Sequence, residues 1–570
     1  MELDVAVATT FTLSLEAALV APLAFASFAA SGPGDPVAAL EAVRSVADRL
    51  TVFCQAGEIA VPNSASDLYA FLEPVVHEVR RPRPGYLFHP KLWLLRYNDG
   101  SDQALRLLVP TRNLTNDSCW DTVLRLDGQV TRRRDSANYP LADLVDWCIG
   151  ATTRELTEAR LTAITSLTES VRRAEWDHPD GVNEMRFHAF GIGRSVIPDF
   201  SGRRTLVIAP FVNDAGLDLV APTSDVVLIS RPGEMEKLSS LTIDRVDTRW
   251  VASVDIDAPP DAPPPLGELH TKLVVVERGM QATMFVGSAN ATDAAYRGNV
   301  EVLVELVAGR KTLGIDTVLN DMGAIVEPCD ITGDRQPSEA DELQRLLDNI
   351  LRDAAVAGLT VAVAGLEEHG WTLDLTSDKA ILPPGFPGRG TVELMTRPGV
   401  ARELTPGNRL QAGYESVELA DITPFVVVRC EIEASTGPVS ASAVVRARLL
   451  GDPNDRLDAV LARQVNTPEK FLRFLFLLLG LQGGGIPPWL APSGSPSGAS
   501  TDGTRQLVEL GVFEAIMKAL ATNPAGLADL DRLVDRLRAT EEGRARLPEG
   551  FEELWKAVGQ ARRVVAEASG

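Results

Sequence analysis

His89 and His270 are each followed two residues later by a lysine, Lys91 and Lys272. Lysine is scarce here: eight occur in 570 residues, so chance gives even one such pair about one time in twelve. Each pair precedes an asparagine that stands two residues after a small hydroxyl residue. In the first unit these are Thr111 and Asn113, in the second Ser288 and Asn290. A carboxylate follows in each, Asp121 and Glu301. Equivalent histidines, asparagines and carboxylates lie 181, 177 and 180 residues apart, so one unit of nearly constant internal spacing occurs twice.

These residue types suit phosphodiester chemistry. A neutral imidazole can attack phosphorus and become a phosphohistidine, and a second, protonated one can hand its proton to the leaving oxygen. Two ammonium groups and two amides can neutralise charge on the non-bridging oxygens, and a carboxylate can fix each imidazole's tautomer. No metal is expected, and no cofactor, because no histidine, cysteine and aspartate cluster with metal-ligand spacing occurs. Read singly, His89 and His270 are ordinary strand histidines. The repeat makes them a pair.

The elements that must position them read as alternating strands and helices over the first 330 residues, an α/β pattern. Strands are expected at 5–10, 50–55, 89–96, 105–110, 205–209, 226–230, 273–277 and 283–286, and helices at 14–28 and 36–48. In a strand residues i and i+2 share a face, so histidine and lysine of each pair point the same way. A proline-rich stretch, APPDAPPP at 258–265, reads as a linker. From 370 to 451 short alternating strands with turns predict a β-rich module. Ser338 is a candidate N-cap for a helix reaching about Asp353, and the Gly/Ser/Pro-rich 483–504 reads as a second linker before a helical tail.

The bulk numbers narrow the class of protein. Hydrophobic residues make up 45% and charged residues 23%, as in soluble globular chains. Five scattered cysteines without a CxxC pair suit a reducing, cytoplasmic setting. The apolar start has no lysine or arginine before Arg44, which excludes the positive n-region of a signal peptide, and no membrane contact is expected. A net charge of −23 excludes a globally basic nucleic-acid binder. Nucleic acid would have to be held by local contacts. The candidates are Arg80, Arg81 and Arg83 before His89, with Thr111 and Arg112 in the following loop.

The two units, FHPKLWLLRY…PTRNLT and HTKLVVVE…GSANATDAAYRGNVE, resemble the phospholipase D superfamily, whose motif is HxK followed by GSxN. The resemblance covers roughly residues 1–330. It implies two phospholipase D-like half-domains forming a pseudo-dimer with one shared site, His89 as nucleophile and His270 as general acid. The implied organisation is half-domain 1 at 1–155, a helical connector at 156–185, half-domain 2 at 186–330 and a helical linker at 331–365. A β-rich module with a terminal helix follows at 366–482, then a flexible linker at 483–504 and a helical C-terminal region at 505–570. The family's usual aspartate, five residues after the lysine, is replaced by Arg96 and Glu277. That departure resembles tyrosyl-DNA phosphodiesterase-like members and some nucleases more than lipid-cleaving ones. The resemblance thus implies a nuclease or DNA-end-processing phosphodiesterase, placed by family analogy in a bacterial restriction or phage-defence system beside a helicase or another defence subunit. The alternatives are a phospholipase D-type lipid enzyme and an inactive nucleic-acid-binding scaffold.

Overall fold

The computed structural model describes residues 2–26, 46–64, 66–98, 102–193, 196–251, 268–366, 370–478, 512, 516 and 524–559. Both sequence-predicted linkers and residues 36–45 of the second expected helix lie outside the described residues.

Buried, β-branched runs form the first sheet: β1 (Glu2–Thr10), β2 (Leu50–Gln55), β3 (Val76–Val79), β4 (Leu92–Asn98) and β5 (Gln103–Pro110). A two-residue strand, β6 (Cys119–Trp120), leaves this sheet before β7 (Val123–Val130) and β8 (Ala174–Trp176) complete it. The order is β3-β2-β1-β4-β5-β7-β8.

The second sheet comprises β9 (Val182–Phe190), β10 (Arg204–Ile208), β11 (Val226–Ile229), β12 (Val246–Val251), β14 (Leu273–Arg278), β15 (Gln281–Gly287), β16 (Glu301–Gly309) and β17 (Val326–Pro328). Between β12 and β14 the short β13 (Glu268–Leu269) stands apart. The order is β17-β12-β11-β10-β14-β15-β16-β9. Six strands therefore repeat in order: β3-β2-β1-β4-β5-β7 matches β12-β11-β10-β14-β15-β16. Orientations repeat too, with β1, β2 and β3 mutually parallel like β10, β11 and β12, and the remaining pairings antiparallel.

Side-chain alternation divides each strand between two cores. Val5 and Val7 of β1, Leu92 and Leu94 of β4, Leu206 and Ile208 of β10, and Leu273 and Val275 of β14 belong to one shared cluster, joined by helices Tyr139–Ala151 and Glu158–Arg172. The opposite face of the first sheet (Leu3, Ala6, Ala8) packs against Leu461, Phe471, Leu533 and Phe551 from the C-terminal helices. The opposite face of the second sheet (Val207, Val274, Val276) closes over Leu217, Val220 and Leu238.

The later residues add two four-stranded sheets: β18 (Thr360–Leu366), β19 (Gly370–Ala380), β22 (Arg409–Val417) and β25 (Arg448–Leu450) in one, β20 (Arg389–Leu394), β21 (Arg402–Glu403), β23 (Phe425–Ala434) and β24 (Gly437–Arg446) in the other. Leu373, Leu375 and Tyr414 of the one meet Val392, Val426 and Val428 of the other in a common core. Ser338 caps the helix Glu339–Ala354 through a reciprocal capping box with Asp341, and that helix's Leu347, Ile350 and Leu351 enter the same core.

Candidate active site

The two histidine-lysine pairs sit on the lead-ins to β4 and β14; the first pair falls outside the strand expected from residue 89, which begins at Leu92, while β14 begins at Leu273 as expected. Pro90 lacks the N–H that a ladder needs, and the N–H groups of His270 and Thr271 are both spent on Trp120 O, at 2.8 and 3.0 Å. Each lysine folds back instead, with Lys91 Nζ 3.0 Å from His89 O and Lys272 Nζ 3.0 Å from His270 O.

Reciprocal backbone pairing brings the pairs together. Phe88, just before His89, bridges Val300, just before Glu301. Leu269, just before His270, pairs with Trp120, just before Asp121. His89 N donates to Val300 O at 2.9 Å. Each histidine is thereby delivered opposite the other half's carboxylate.

The exchange is complete on one side. Glu301 is fully buried, and both its oxygens lie 3.0 Å from His89 Nδ1. Ser288 Oγ donates to Glu301 Oε2, and Asn299 Nδ2 donates to Oε1 at 3.2 Å. Asn299 Oδ1 in turn accepts from Leu87 N at 3.0 Å. Ser288 and Asn299 donate to this carboxylate, and a charged Glu301 would take the Nδ1 proton of His89 and leave Nε2 its lone pair.

The other side differs from the expectation that a carboxylate holds each imidazole. Asp121 accepts from Thr111 Oγ1 and, at 2.7 Å, from its neighbour Thr122 N. His270 Nδ1 faces Thr111 O at 3.4 Å and Lys272 Nζ at 3.2 Å. The Thr111 carbonyl also takes a hydrogen bond from Lys272 at 3.0 Å. Thr111 thus ties the first half's loop to the second half's His-Lys pair.

Burial and mutual repulsion shape the charges. Burial, then the Lys91 and Lys272 ammonium groups, drives His89 well below its usual value. The same causes bring His270 down to about 3. Burial lowers Lys272 to about 7 and Lys91 well below the ordinary lysine range, with Lys272 adding to the latter. Burial lifts Glu301 to about 8 against the pull of Lys91. Burial and the crowding of two lysines with two imidazoles depress all four basic groups and leave the site short of negative charge.

Asn113 and Asn290 carry the clearest sign of something missing. The Oδ1 of each is buried without a partner, and neither amide makes a side-chain hydrogen bond among the described residues. An amide oxygen accepts, so each orphan calls for a donor, and the end of each side chain that could meet a phosphate oxygen is its Nδ2.

The predicted arginines are differently placed. Arg80 donates to Thr152 O at 2.7 Å and Thr153 O at 3.3 Å, and Arg81 pairs with Asp353 at 2.6 Å and Asn349 at 3.0 Å. Arg83 is exposed, donates to Arg297 O at 3.1 Å and lies 4.3 Å over the Tyr86 ring. Arg112 folds onto its own loop, donating to Thr115 O at 2.7 Å and Asp117 O at 2.6 Å. Their charge predicts phosphate binding, but these guanidinium groups have local structural partners, because chain proximity to His89 does not set side-chain direction.

Sequence reasoning passed over Asn299 and Arg231. Asn299 stands two residues before Glu301, which was its only signal. Arg231 donates from Nε and Nη2 to Leu269 O at 3.1 and 3.0 Å. Its charge helps depress His270 and Lys272. Arg96 and Glu277, which replace the family's aspartate, are both buried struts. Arg96 reaches Asp4 at 2.6 Å and Ser166 and Ser170 at 2.9 Å, and Glu277 accepts from Ile315 N at 3.0 Å and pairs with Arg310 at 2.9 Å.

No family model matches this chain, and no curated protein matches it. Among solved structures it is similar to a mutant of yeast tyrosyl-DNA phosphodiesterase, at 11% identity over 55% of this chain and 83% of that one, with a TM-score of 0.33. It is also similar to polyphosphate kinase from Porphyromonas gingivalis, at 13% identity over 62% of this chain and 49% of that one, with a TM-score of 0.31. The functional reading is carried by the chain's own side chains.

Proposed function

We propose that this chain is a metal-independent phosphodiesterase of the phospholipase D superfamily that cuts nucleic acid through a phosphohistidine. Its two α/β sheets act as a pseudo-dimer of half-domains around one site. The observation that carries this reading is the convergence, on one seam, of two His-Lys pairs, with Glu301 against His89 and the Thr111 carbonyl under Lys272.

In the first step His89 Nε2 attacks phosphorus while Glu301 accepts its Nδ1–H. The P–O bond to the leaving group breaks, and His270 delivers the proton to the departing oxygen. In the second step His270 takes a proton from water, the hydroxide attacks phosphorus, and the P–N bond breaks to restore His89. Lys91 and Lys272, with the Nδ2 groups of Asn113 and Asn290 as donors, stabilise the equatorial oxygens throughout. Bound phosphate supplies the missing negative charge, so it draws protons back onto the lysines and His270.

Nucleic acid is favoured over lipid on two grounds. Among the described residues no helix is long and apolar enough to cross a membrane. The family's aspartate is absent from both units. A net charge of −23 opposes long-range attraction to a phosphate backbone, so delivery by a partner such as a helicase of a defence system fits this chain better than unaided capture. The test is incubation of pure protein, in EDTA, with labelled single- and double-stranded DNA, RNA and phosphatidylcholine. Cleavage of a nucleic acid that persists in EDTA is expected. Release of choline with every nucleic acid intact, or a strict need for Mg²⁺, contradicts the reading.

A further inference from the structure

Phe11 and Phe211 stand at the rim of the site, one in each half. Phe11 follows β1, and its ring centroid is 5.2 Å from that of His89. The Arg352 guanidinium lies 5.8 Å from the Phe11 ring and is anchored to Glu58 at 2.8 Å. Phe211 follows β10 and is 41% exposed, large for a phenylalanine beside a charged site. Its loop is pinned next to Asn290, since Val212 bridges Ala291 and Asn213 N donates to Ala291 O at 3.1 Å. The Arg231 guanidinium sits 5.1 Å over the Phe211 ring. Arg231 is itself fixed by the Leu269 carbonyl beside His270 and by Glu268 at 2.8 Å. Phe11 thus lies against His89, and Phe211 lies under Arg231, which is fixed to the carbonyl next to His270. The tryptophans nearest the motifs, Trp93 and Trp120, pack against hydrophobic cores instead.

A partly exposed ring with a guanidinium on it offers a flat, cation-polarised surface to another π-face, and such stacking tolerates any base. Two platforms on either side of one phosphate fit the two nucleosides that this phosphate joins. In a duplex those bases are stacked on their neighbours and unable to splay apart; in a single strand they are free to do so. We propose that Phe11 and Phe211 stack the nucleobases flanking the scissile phosphate, so that the substrate is a single strand; this rests on the nucleic-acid reading above.

The experiment compares kcat/KM of the full chain, in EDTA, on three substrates: a single-stranded oligonucleotide, the same strand with abasic residues flanking the cut, and its duplex. The intact strand should exceed both others by about tenfold or more. Phe11→Leu and Phe211→Leu should each bring the ratio of intact to abasic strand toward one, and Phe211→Trp should restore it, with thermal melting confirming that each variant is folded. Equal cleavage of intact and abasic strands by the wild type, or of strand and duplex, overturns the stacking while leaving the nucleic-acid reading in place, and does so even where a variant fails to fold. An unchanged ratio in both folded leucine variants also overturns it. No cleavage of any oligonucleotide overturns both.

Discussion

Lys272 makes the tension between function and stability concrete. Its side chain is about 1% exposed, and burial lowers its pKa to about 7. Between that value and an ordinary lysine pKa near 10.4 the unfolded chain holds a proton that the folded one lacks. Stability from this group is therefore fully present above the unfolded value and is lost as pH falls toward 7. Calorimetric or denaturant melts should show wild-type stability rising between pH 8 and 10 by up to about 1.4 kcal/mol per pH unit from this one group, a slope that Lys272→Met lacks. Lys272→Met should cost on the order of a hundredfold or more in kcat/KM by loss of charge stabilisation. Glu301→Gln should keep the fold but release the His89 tautomer, lowering kcat by at least about a hundredfold with little change in KM. The pairing of His89 with Lys91, and of His270 with Lys272, was legible in the sequence because the spacing is local. The allocation of Glu301 to His89 was not, since 212 residues separate them and spacing alone matched each carboxylate to its own unit.

At the scale of elements, the repeat in spacing matched the repeat in strand order, since each unit's hairpin is a local antiparallel pairing that alternating hydrophobic residues dictate. Residues 89–91 read as strand because apolar residues on either side continue the pattern past Pro90, where the backbone donor is missing. Gly287 shows why the second motif begins with glycine. A Cβ there would lie 2.2 Å from Val302 O and 3.0 Å from Leu303 Cα, both backbone atoms of β16. Gly287→Ala must push β15 off β16 and carry Ser288 and Asn290 with it. The expected result is a loss of about 1–3 kcal/mol in a denaturant melt and a fall in kcat larger than that of a comparable substitution outside the site.

For the whole molecule, the C-terminal helices are part of the first sheet's packing. Arg456, at the start of helix Arg456–Gln464, reaches Glu73 with both nitrogens, at 2.9 and 2.7 Å, and both side chains are buried. Burial raises the Glu73 carboxyl, and the carboxylates of Glu73 and Asp452 hold Arg456 firmly charged. Removing one member leaves the other buried and unpaired, so Arg456→Ala should cost about 3–5 kcal/mol and lower the melting temperature of the entire chain. Composition alone gave no hint of this docking, because the contact joins residues 383 apart in sequence. The exchange of Glu301 and Thr111 across the seam likewise makes one site from two halves, neither of which holds a full set of groups.

The most direct measurement of that claim is a trapped intermediate. His270→Asn should be mixed in EDTA with a nucleoside phosphodiester bearing a p-nitrophenolate leaving group, which needs no proton on departure. The reaction is quenched under alkaline conditions and examined by peptide mass spectrometry. The account predicts a burst of nitrophenolate and an acid-labile nucleotide adduct on His89, because the first step proceeds and the second lacks its base. Full multiple turnover by this variant, or an adduct on any residue other than His89, contradicts it.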